Sequence, residues 1–472
     1  MTGLSATPAT RRQFLGLTTA TGLALVAGCT SERAAAPAAS GGLRLTAAPM
    51  RLDLAGNEVP TWGYGTVPGP EIRLKVGDRL RVDLENDLSE DTTVHWHGVA
   101  PPNGMDGVPG ITQDPVAPGA RFTYDFPTPI AGSFMYHSHV GMQLDRGLYG
   151  PLIVEPRDEP LAYDREYTLM LDDWRDGMDA TEDMAGMDHP EQPAVPPVGP
   201  DPDPANLVSF GGRAYPLVLI NGRPPDDPPV LEARPGARLR LRVMNIAADT
   251  GFRFAVAGHL LTVTHADGMP VEPVTVESVR LGMGERYDVL LDGAQSGGTW
   301  QVGVQPEGRA GWGRAVLRYA GSGGSSTPAV AERPAELDGR LLRYDELLAL
   351  EPPALPAGTP DRQFDLTLSG MEINGQRFPD ADPMPVVMGE WVRFRLTNTS
   401  AKWHPMHLHG HHFQVLTPSG RGPVKDTVAV PARGGEVTFD WLATNPGRWL
   451  FHCHNHHHMQ QGMLRVVEFA AR

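Results

Sequence analysis

The chain has 472 residues, 40 of them lysine or arginine and 56 aspartate or glutamate, so its formal net charge is −16 at pH 7. This acidity argues against nucleic-acid binding, because a phosphate backbone repels an acidic surface. Hydrophobic residues make up 40% and charged residues 20%, which is ordinary for a globular protein of about two to four domains. Glycine (54) and proline (46) are abundant, as in proteins of many short strands joined by turns.

The first predicted element is an export signal over residues 1–28. Arg11 and Arg12 precede a mildly apolar stretch, as in twin-arginine signals, and that stretch is too short to span a bilayer. The following residues resemble a bacterial lipoprotein cleavage box, so Cys29 is expected to carry lipid, with residues 29–42 as a tether. Cleavage at an ordinary small-residue site is the alternative. The expected location is the periplasm or the outer face of the cytoplasmic membrane, with membrane contact only through Cys29.

Alternation of polar and apolar residues recurs along the rest of the chain. The runs Arg79–Leu84, Arg238–Val243 and Val387–Phe394 sit near turn signals and are predicted as half-buried strands. They belong to stretches starting near residues 75, 233 and 387, which indicates one module used three times. The sequence therefore predicts an all-β chain of three Greek-key β-sandwiches. The predicted domains are residues 43–156, 157–320 and 361–472, with a linker at 321–360.

Four His-x-His pairs are the main sign of a metal site. They are His95/His97, His137/His139, His407/His409 and His452/His454. Because residues i and i+2 of a strand project to the same face, each pair can offer two imidazoles to one cavity. Solvated histidines on a strand face are the alternative for a single pair, but four pairs in apolar or aromatic contexts favour ligands. Eight imidazoles are enough for a cluster of several metal ions.

The last pair encloses a cysteine, Cys453, and is followed by His458 and Met463. A thiolate, two imidazoles and a distant thioether are the ligands of a blue-copper electron-transfer site. On a strand, Cys453 points away from its neighbours His452 and His454. A copper ion on the thiolate would then be joined by a short backbone path to metals held by the two histidines. This combination predicts a copper enzyme rather than a simple electron carrier.

These motifs carry a resemblance to a known family, the multicopper oxidases. They are His95-Trp96-His97-Gly98, His137-Ser138-His139, the run from His404 to His411, and the run from His452 to Met463. The resemblance covers roughly residues 43–472 and is strongest at the two ends. It is closest to the bacterial copper-resistance and laccase-like branch, which includes exported mycobacterial lipoproteins. It implies cupredoxin-like domains and four copper ions.

The resemblance also assigns a role to each predicted ligand. The type 1 copper would be held by His404, Cys453 and His458, with Met463 as a weak axial ligand. The type 2 copper would be held by His95 and His407. The type 3 pair would be held by six histidines: His97, His137, His139, His409, His452 and His454. Electrons taken singly at the type 1 copper would pass through Cys453 to the trinuclear cluster, which reduces dioxygen to water.

One position departs from the family pattern. Many relatives have a carboxylate just after the histidine that matches His458, where it can relay protons, whereas this chain has Met459-Gln460-Gln461. A neutral amide cannot act as an acid near neutral pH. Asp106, which matches an acidic residue of the family, is then the main candidate proton donor. The alternative is an ordinary turn aspartate.

The electron donor is predicted from a segment between the motifs. Residues 176–189 combine three methionines (Met178, Met184 and Met187) with several acids, and thioethers suit Cu(I). This favours a cuprous oxidase for copper tolerance, with phenol oxidation and Fe(II) oxidation as alternatives. An acidic insert with incidental methionines is equally compatible with the composition.

Two functions of other classes compete with this interpretation. A two-domain copper nitrite reductase shares cupredoxin parts, but the four paired motifs and the three modules disfavour it. A copper-sequestering protein without turnover would use the same ligands. Oxygen consumption distinguishes the sequestering protein from an oxidase.

Overall fold

The fold is that of a computed structural model, which describes residues 42–175, 211, 215–321, 328–329, 332–356, 358–418, 420 and 422–470. The predicted signal, Cys29, the tether up to residue 41 and the segment 176–189 lie outside the described residues. Within these ranges the chain is almost entirely strands and turns. No described helix combines the length and the apolar character that a bilayer crossing requires.

The first sandwich is built from eight strands and carries one short 3-10 helix at Asn103–Met105. The strands are β1 (Leu43–Leu54), β2 (Asn57–Gly63), β3 (Ile72–Lys75), β4 (Arg79–Asn86), β5 (His95–His97), β6 (Arg121–Pro127), β7 (Gly132–His137) and β8 (Tyr149–Glu155). They form two four-stranded sheets with the orders β2-β1-β4-β6 and β3-β8-β7-β5.

The middle sandwich follows with eleven described strands. They are β9 (Arg165–Trp174), β10 (Leu217–Ile220), β11 (Val230–Ala233), β12 (Arg238–Asn245), β13 (Phe252–Val256), β14 (Leu261–Ala266), β15 (Met269–Val276), β16 (Ser278–Leu281), β17 (Arg286–Asp292), β18 (Gly298–Pro306) and β19 (Gly313–Tyr319). Their sheets have the orders β10-β9-β12-β17-β14-β15 and β11-β19-β18-β13-β16.

The third sandwich holds the remaining strands and the α-helix α1 (His456–Gln460). The strands are β20 (Arg362–Ser369), β21 (Glu372–Ile373), β22 (Met384–Val386), β23 (Trp391–Asn398), β24 (His404–Leu408), β25 (Phe413–Val415), β26 (Val424–Lys425), β27 (Thr427–Val430), β28 (Gly435–Leu442), β29 (Arg448–Cys453) and β30 (Leu464–Phe469). Their sheets have the orders β21-β20-β23-β28-β25-β26 and β22-β30-β29-β24-β27.

The three sandwiches repeat one pairing pattern. In one sheet of each, the first strand pairs in parallel with a later one: β1 with β4, β9 with β12, and β20 with β23. In the other sheet of each sandwich, an edge strand pairs in parallel with its neighbour: β3 with β8, β11 with β19, and β22 with β30. The prediction of one module used three times in an all-β fold is confirmed. The residues at which one domain ends and the next begins stay a prediction.

The predicted exposure of one strand is wrong. Strand β12 was expected to be half-buried, but all its residues after Arg238 are buried, including Arg240 and Arg242. Both arginines bond Asp288 of β17, and Arg242 also bonds the Ser133 hydroxyl of the first sandwich. The polar face of β12 is therefore covered by another part of the chain, and buried ion pairs satisfy its charges.

Apolar contacts hold the sandwiches against one another. One cluster joins residues of the first sandwich, such as Met135 and Tyr149, to residues of the middle one, such as Leu219 and Met244. A smaller cluster joins Val108 of the first sandwich to the third, where its partners are Leu450, Met459, Leu464 and Val466. The first and third sandwiches therefore meet, and the His-x-His pairs lie where they meet.

The connection between the middle and third sandwiches packs on its neighbours where it is described. It contains 3-10 helices at Ala335–Asp338 and Tyr344–Glu346. Leu342 and Leu347 join the core of the middle sandwich, and the Tyr344 hydroxyl accepts a hydrogen bond from the backbone of Ala429. This part of the predicted linker therefore ties the two sandwiches together.

Candidate metal centre

Strand register brings the predicted ligands together in pairs. In the first sandwich β5 pairs with β7 so that His95 stands opposite His137. In the third, β24 pairs with β29 so that His407 stands opposite His452 and Met406 opposite Cys453. Since opposed residues of antiparallel strands lie close on one face, each sandwich presents a patch of imidazoles.

The two patches meet in one buried cluster of eight histidines. Its members are at most 6% exposed: His95, His97, His137, His139, His407, His409, His452 and His454. Rings from the two sandwiches stack directly, with centroids 3.9 Å apart for His97 and His407 and also for His95 and His409. The structure thus brings together every His-x-His pair that the sequence singles out.

Unpartnered ring nitrogens in this cluster fit bound metal ions. Nε2 of His95, His137, His139 and His407 and Nδ1 of His454 are buried without a hydrogen-bond partner among the described residues. Such orphaned polar atoms are costly unless something binds them. The ligand atoms within the trio His139, His409 and His452 all lie within 4.8 Å of one another, and so do those within the trio His95, His407 and His409.

Backbone carbonyls fix the orientation of four rings. The Nδ1 atoms of His95, His137, His407 and His452 each lie 2.9 Å from a carbonyl oxygen. A carbonyl can only accept, so Nδ1 carries the proton and Nε2 keeps its lone pair for a metal. The chain thereby sets the tautomer in which each imidazole can bind a metal.

Burial also keeps several rings of the eight-histidine cluster neutral. It lowers the pKa of His97, His137 and His139 well below the usual value, and neighbouring histidines lower the pKa further. The same two causes lower the pKa of His409 and His454. Neutral imidazole is the metal-binding form, so the electrostatics of the cluster suit ligation.

A second cluster surrounds Cys453 in the third sandwich. The Cys453 Sγ atom lies 3.5 Å from His404 Nδ1 and 3.6 Å from His458 Nδ1, and all three residues are buried. Met463 belongs to the same apolar core as Cys453. Burial raises the pKa of the Cys453 thiol and lowers the pKa of His404 to about 3. A thiolate therefore forms here only with a cation beside it, as a bound metal would supply.

Hydrogen bonds also hold the ring of His404 and the backbone of His458 in this cluster. His404 Nε2 lies 2.8 Å from the Ser400 hydroxyl, whose own proton has acceptors at Asn398 and Lys402. His404 Nε2 therefore donates, and Nδ1 faces the sulfur. The side chain of Asn455 caps α1 and accepts from the backbone N–H of His458.

Two buried carboxylates contact the histidine rings. The predicted residue Asp106 lies with Oδ2 2.9 Å from His409 Nδ1 and Oδ1 3.2 Å from His95 Nδ1. Sequence reasoning missed Asp426, whose Oδ1 lies 3.0 Å from His97 Nε2. Burial raises the pKa of Asp426, but Arg286 and His97 outweigh that effect and hold it well below its usual range. The stretch around Asp426 has no spacing signal that could have revealed this role.

Several histidines outside the predicted ligand set are buried beside it. They include His411, His456 and His457. The Tyr215 hydroxyl lies 2.8 Å from His457 Nε2, and the backbone carbonyl of Ala248 accepts from the backbone of His456. Tyr215 lies between β9 and β10 of the middle sandwich, and Ala248 lies between β12 and β13. The middle part of the chain therefore also contacts α1.

Comparisons with known proteins agree with this geometry. Three family models, each described as multicopper oxidase, match residues 48–159, 165–322 and 353–471. The chain belongs to the multicopper oxidases. It is 39% identical to multicopper oxidase MmcO of Mycobacterium tuberculosis over 97% of this chain and 96% of that protein.

More distant relatives point the same way. Copper resistance protein A of Escherichia coli is 28% identical over 85% of this chain and 88% of its own length. The crystal structure of a multi-copper oxidase from Pseudomonas thermotolerans covers 91% of this chain and 99% of its own with a TM-score of 0.68 and 30% identity. The chain is therefore a copper-dependent oxidoreductase with oxygen as electron acceptor, and its fold is the predicted set of three cupredoxin-like sandwiches.

Proposed function

We propose that this multicopper oxidase oxidises Cu(I) one electron at a time and reduces dioxygen to water with four electrons. Four copper ions would be bound: one held by His404, Cys453, His458 and Met463, and three held by the eight-histidine cluster. Bound copper would accept and release single electrons at both clusters. The observation that carries the proposal is the position of Cys453 between His452 and His454, which belong to the other cluster.

In this proposal the protein chain supplies a path for electrons through Cys453 and keeps water away from its sulfur. Cys453 is fully buried in an apolar core, so water has no access to the sulfur. Its backbone is bonded directly to His452 and His454, so no residue separates the two ligand sets. A short covalent route of this kind suits fast electron transfer from an entry site to a site that collects four electrons.

Asp106 is the proposed proton donor to the oxygen site. Its side chain is fully buried and touches rings from both sandwiches, His95 and His409. Many relatives carry an acid where this chain has Met459 and Gln460, and neither a thioether nor an amide can donate a proton near neutral pH. In its protonated form, Asp106 would donate its acid proton to the oxygen site from the side chain that faces these two rings.

Cu(I) is proposed as the donor on two observations. The name of the relative copper resistance protein A points to copper tolerance. In addition, Arg175, the last described residue before the segment 176–189, lies over the ring of Tyr215. Tyr215 in turn bonds His457, next to the proposed ligand His458. Phenols and Fe(II) remain alternative donors.

The test compares donors on two forms of the copper-loaded enzyme. Oxygen uptake is measured with Cu(I), Fe(II) and a phenol for the wild type and for a deletion of residues 178–189. We expect the deletion to reduce Cu(I) oxidation far more than phenol oxidation. A control deletion of similar length at residues 190–201 should leave the ratio unchanged. Equal loss of activity with every donor would refute the proposal that Met178, Met184 and Met187 bind Cu(I) as the substrate.

Copper content tests the cluster assignment. Metal analysis of the reconstituted wild type should give four copper ions per chain. One ion or none would refute the two-cluster scheme. Four ions without oxygen consumption would indicate a copper-sequestering protein instead.

We further propose that the protein is exported by the twin-arginine route and held at the membrane by lipid on Cys29. Arg11, Arg12 and the sequence before Cys29 support this. Cell fractionation of the wild type, Cys29→Ala and Arg11→Lys/Arg12→Lys tests it. Cys29→Ala should release the enzyme from the membrane, and the double lysine variant should stay in the cytoplasm. An unchanged distribution of both variants would refute the proposal.

A further inference from the structure

The middle sandwich supplies no ligand to either cluster, yet one of its turns lies on the eight-histidine cluster. The turn joins β16 to β17 and contains Gly284, whose φ is +87°. A Cβ atom on Gly284 would lie 2.9 Å from His454 Cδ2 and 3.0 Å from His97 Cε1. The backbone of this turn therefore packs directly against two of the imidazole rings.

Arg286, at the end of this turn, is fully buried and uses all five of its N–H donors. Its two terminal nitrogens bind the two oxygens of Asp426, each at 2.7 Å. The remaining donors bind the backbone carbonyls of Ser133, Gly284 and Asp267 at 3.0–3.1 Å. The arginine thus joins the first sandwich (Ser133), the middle one and the third (Asp426) at a single point.

Asp426, held in place by Arg286, bonds two histidines of the cluster. Its Oδ1 accepts from His97 Nε2 at 3.0 Å, and its backbone oxygen accepts from His407 Nδ1 at 2.9 Å. With the proton on Nε2, His97 presents the lone pair of Nδ1, which lies 3.2 Å from His454 Nε2. The carboxylate orientation therefore decides which nitrogen of His97 faces its neighbour.

The glycine after His97 fits the same arrangement. Gly98 has φ of +83°, and a Cβ there would lie 2.8 Å from Asp426 Oδ2 and closer still to an Arg286 nitrogen. The ion pair therefore fills the space beside the first His-x-His pair. Packing from Gly98 and hydrogen bonding from Asp426 hold His97 from two sides.

We propose that Arg286 is a positioning residue of the trinuclear copper site, and that the middle sandwich acts through it on copper affinity at His97 and His407. This inference rests on the proposed function, since it assumes copper in the eight-histidine cluster. Arg286 fixes Asp426, Asp426 fixes the two rings, and the rings hold the metal. Partners of this kind typically change metal affinity by about 10- to 100-fold when they are replaced.

The test is a conservative variant with a matched control. Arg286→Lys keeps the charge but loses the planar fork that binds both oxygens of Asp426. Arg240→Lys is the control, because Arg240 is also buried in the same sandwich and bonds Asp288 and Glu159. In the part of the chain that the structure describes, it makes no hydrogen bond to any of the eight histidines. Copper per chain is measured after dialysis against a graded chelator, together with the blue absorption of the Cys453 cluster and the type 2 electron paramagnetic resonance signal.

The expected result separates the two clusters. Arg286→Lys should lose copper from the eight-histidine cluster at about 10- to 100-fold lower chelator strength, with an altered type 2 signal and an unchanged blue band. Arg240→Lys should behave as the wild type. If Arg286→Lys retains all its copper and the wild-type signal, the inference is wrong.

The test also gives an answer if Arg286→Lys fails to fold. If Arg286→Lys does not fold, Asp426→Asn tests the same link, since it removes the charge at nearly constant volume. If neither variant folds while Arg240→Lys does, the pair serves the fold and the inference is wrong. A wild type without copper in the eight-histidine cluster would instead refute the proposed function, so the two failures are distinguishable.

Discussion

The two ligand clusters of this protein are built in different ways. The Cys453 cluster takes all its predicted ligands from the third sandwich, within residues 404–463. The eight-histidine cluster takes four histidines from the first sandwich and four from the third, more than 250 residues apart in the chain, and Arg286 of the middle sandwich contacts its carboxylate partner. One site is local to a domain, and the other is a property of the assembled chain.

This difference has a thermodynamic meaning. A metal ion at the Cys453 cluster would stabilise a single sandwich, whereas ions in the eight-histidine cluster would stabilise the contact between two of them. Binding to the folded chain alone adds stability by mass action. The distributed cluster should therefore contribute to holding the sandwiches together, and the following variants separate the two contributions.

The largest expected effect is that of Cys453→Ser. The copper-loaded variant should lose the intense blue colour and nearly all turnover with any donor, because both the entry site and the covalent path are gone. It should still bind three copper ions, since the eight histidines are untouched. Absorption, oxygen uptake and metal analysis measure this, with Met459→Leu as a buried neighbouring control. Blue colour in the variant would contradict the assignment.

Asp106→Asn should slow turnover by about 100-fold, the lower end of what a positioned general acid contributes. The blue band should persist, because Asp106 contacts the eight-histidine cluster and not Cys453. Rapid-mixing reoxidation of the reduced enzyme by oxygen measures the step directly. Asp114→Asn, an exposed aspartate nearby, is the control. A variant with wild-type reoxidation would eliminate Asp106 as the proton donor.

Copper removal should lower the thermal unfolding temperature by several degrees. A site held at 1,000 times its Kd adds about 4 kcal/mol to the free energy of unfolding. Copper-loaded Cys453→Ser should keep most of that stabilisation, because its distributed cluster is intact. Calorimetry of loaded and chelated samples checks both points. Equal unfolding temperatures before and after chelation would contradict this account.

Ser400→Ala should have the smallest effect. It removes the acceptor of His404 Nε2, so the ring is free to change tautomer and copper binding at the Cys453 cluster should weaken by about 10-fold. Thr399→Val is a matched control, because its hydroxyl bonds the Leu368 carbonyl instead. Chelator titration of the blue band gives the affinity. Coincident titrations of Ser400→Ala and wild type would rule out this role.

Much of the site follows from the sequence because strand geometry is local. Alternation along a strand places His95 beside His97 and turns Cys453 away from His452, whatever the rest of the fold does. The ion pair of Arg286 and Asp426 does not follow, because its members are 140 residues apart and meet only when two sandwiches pack. The burial of Arg240 and Arg242 escaped prediction for the same reason: their cover comes from another part of the chain.

The complete burial of Cys453 also bears on how the enzyme acquires its metal. An ion can reach the sulfur of a finished chain only while surrounding side chains part, so uptake should proceed at the speed of local opening events rather than of diffusion. Warming or mild denaturant would then accelerate incorporation before any loss of structure is detectable, and a chain supplied with copper during its folding would avoid the wait.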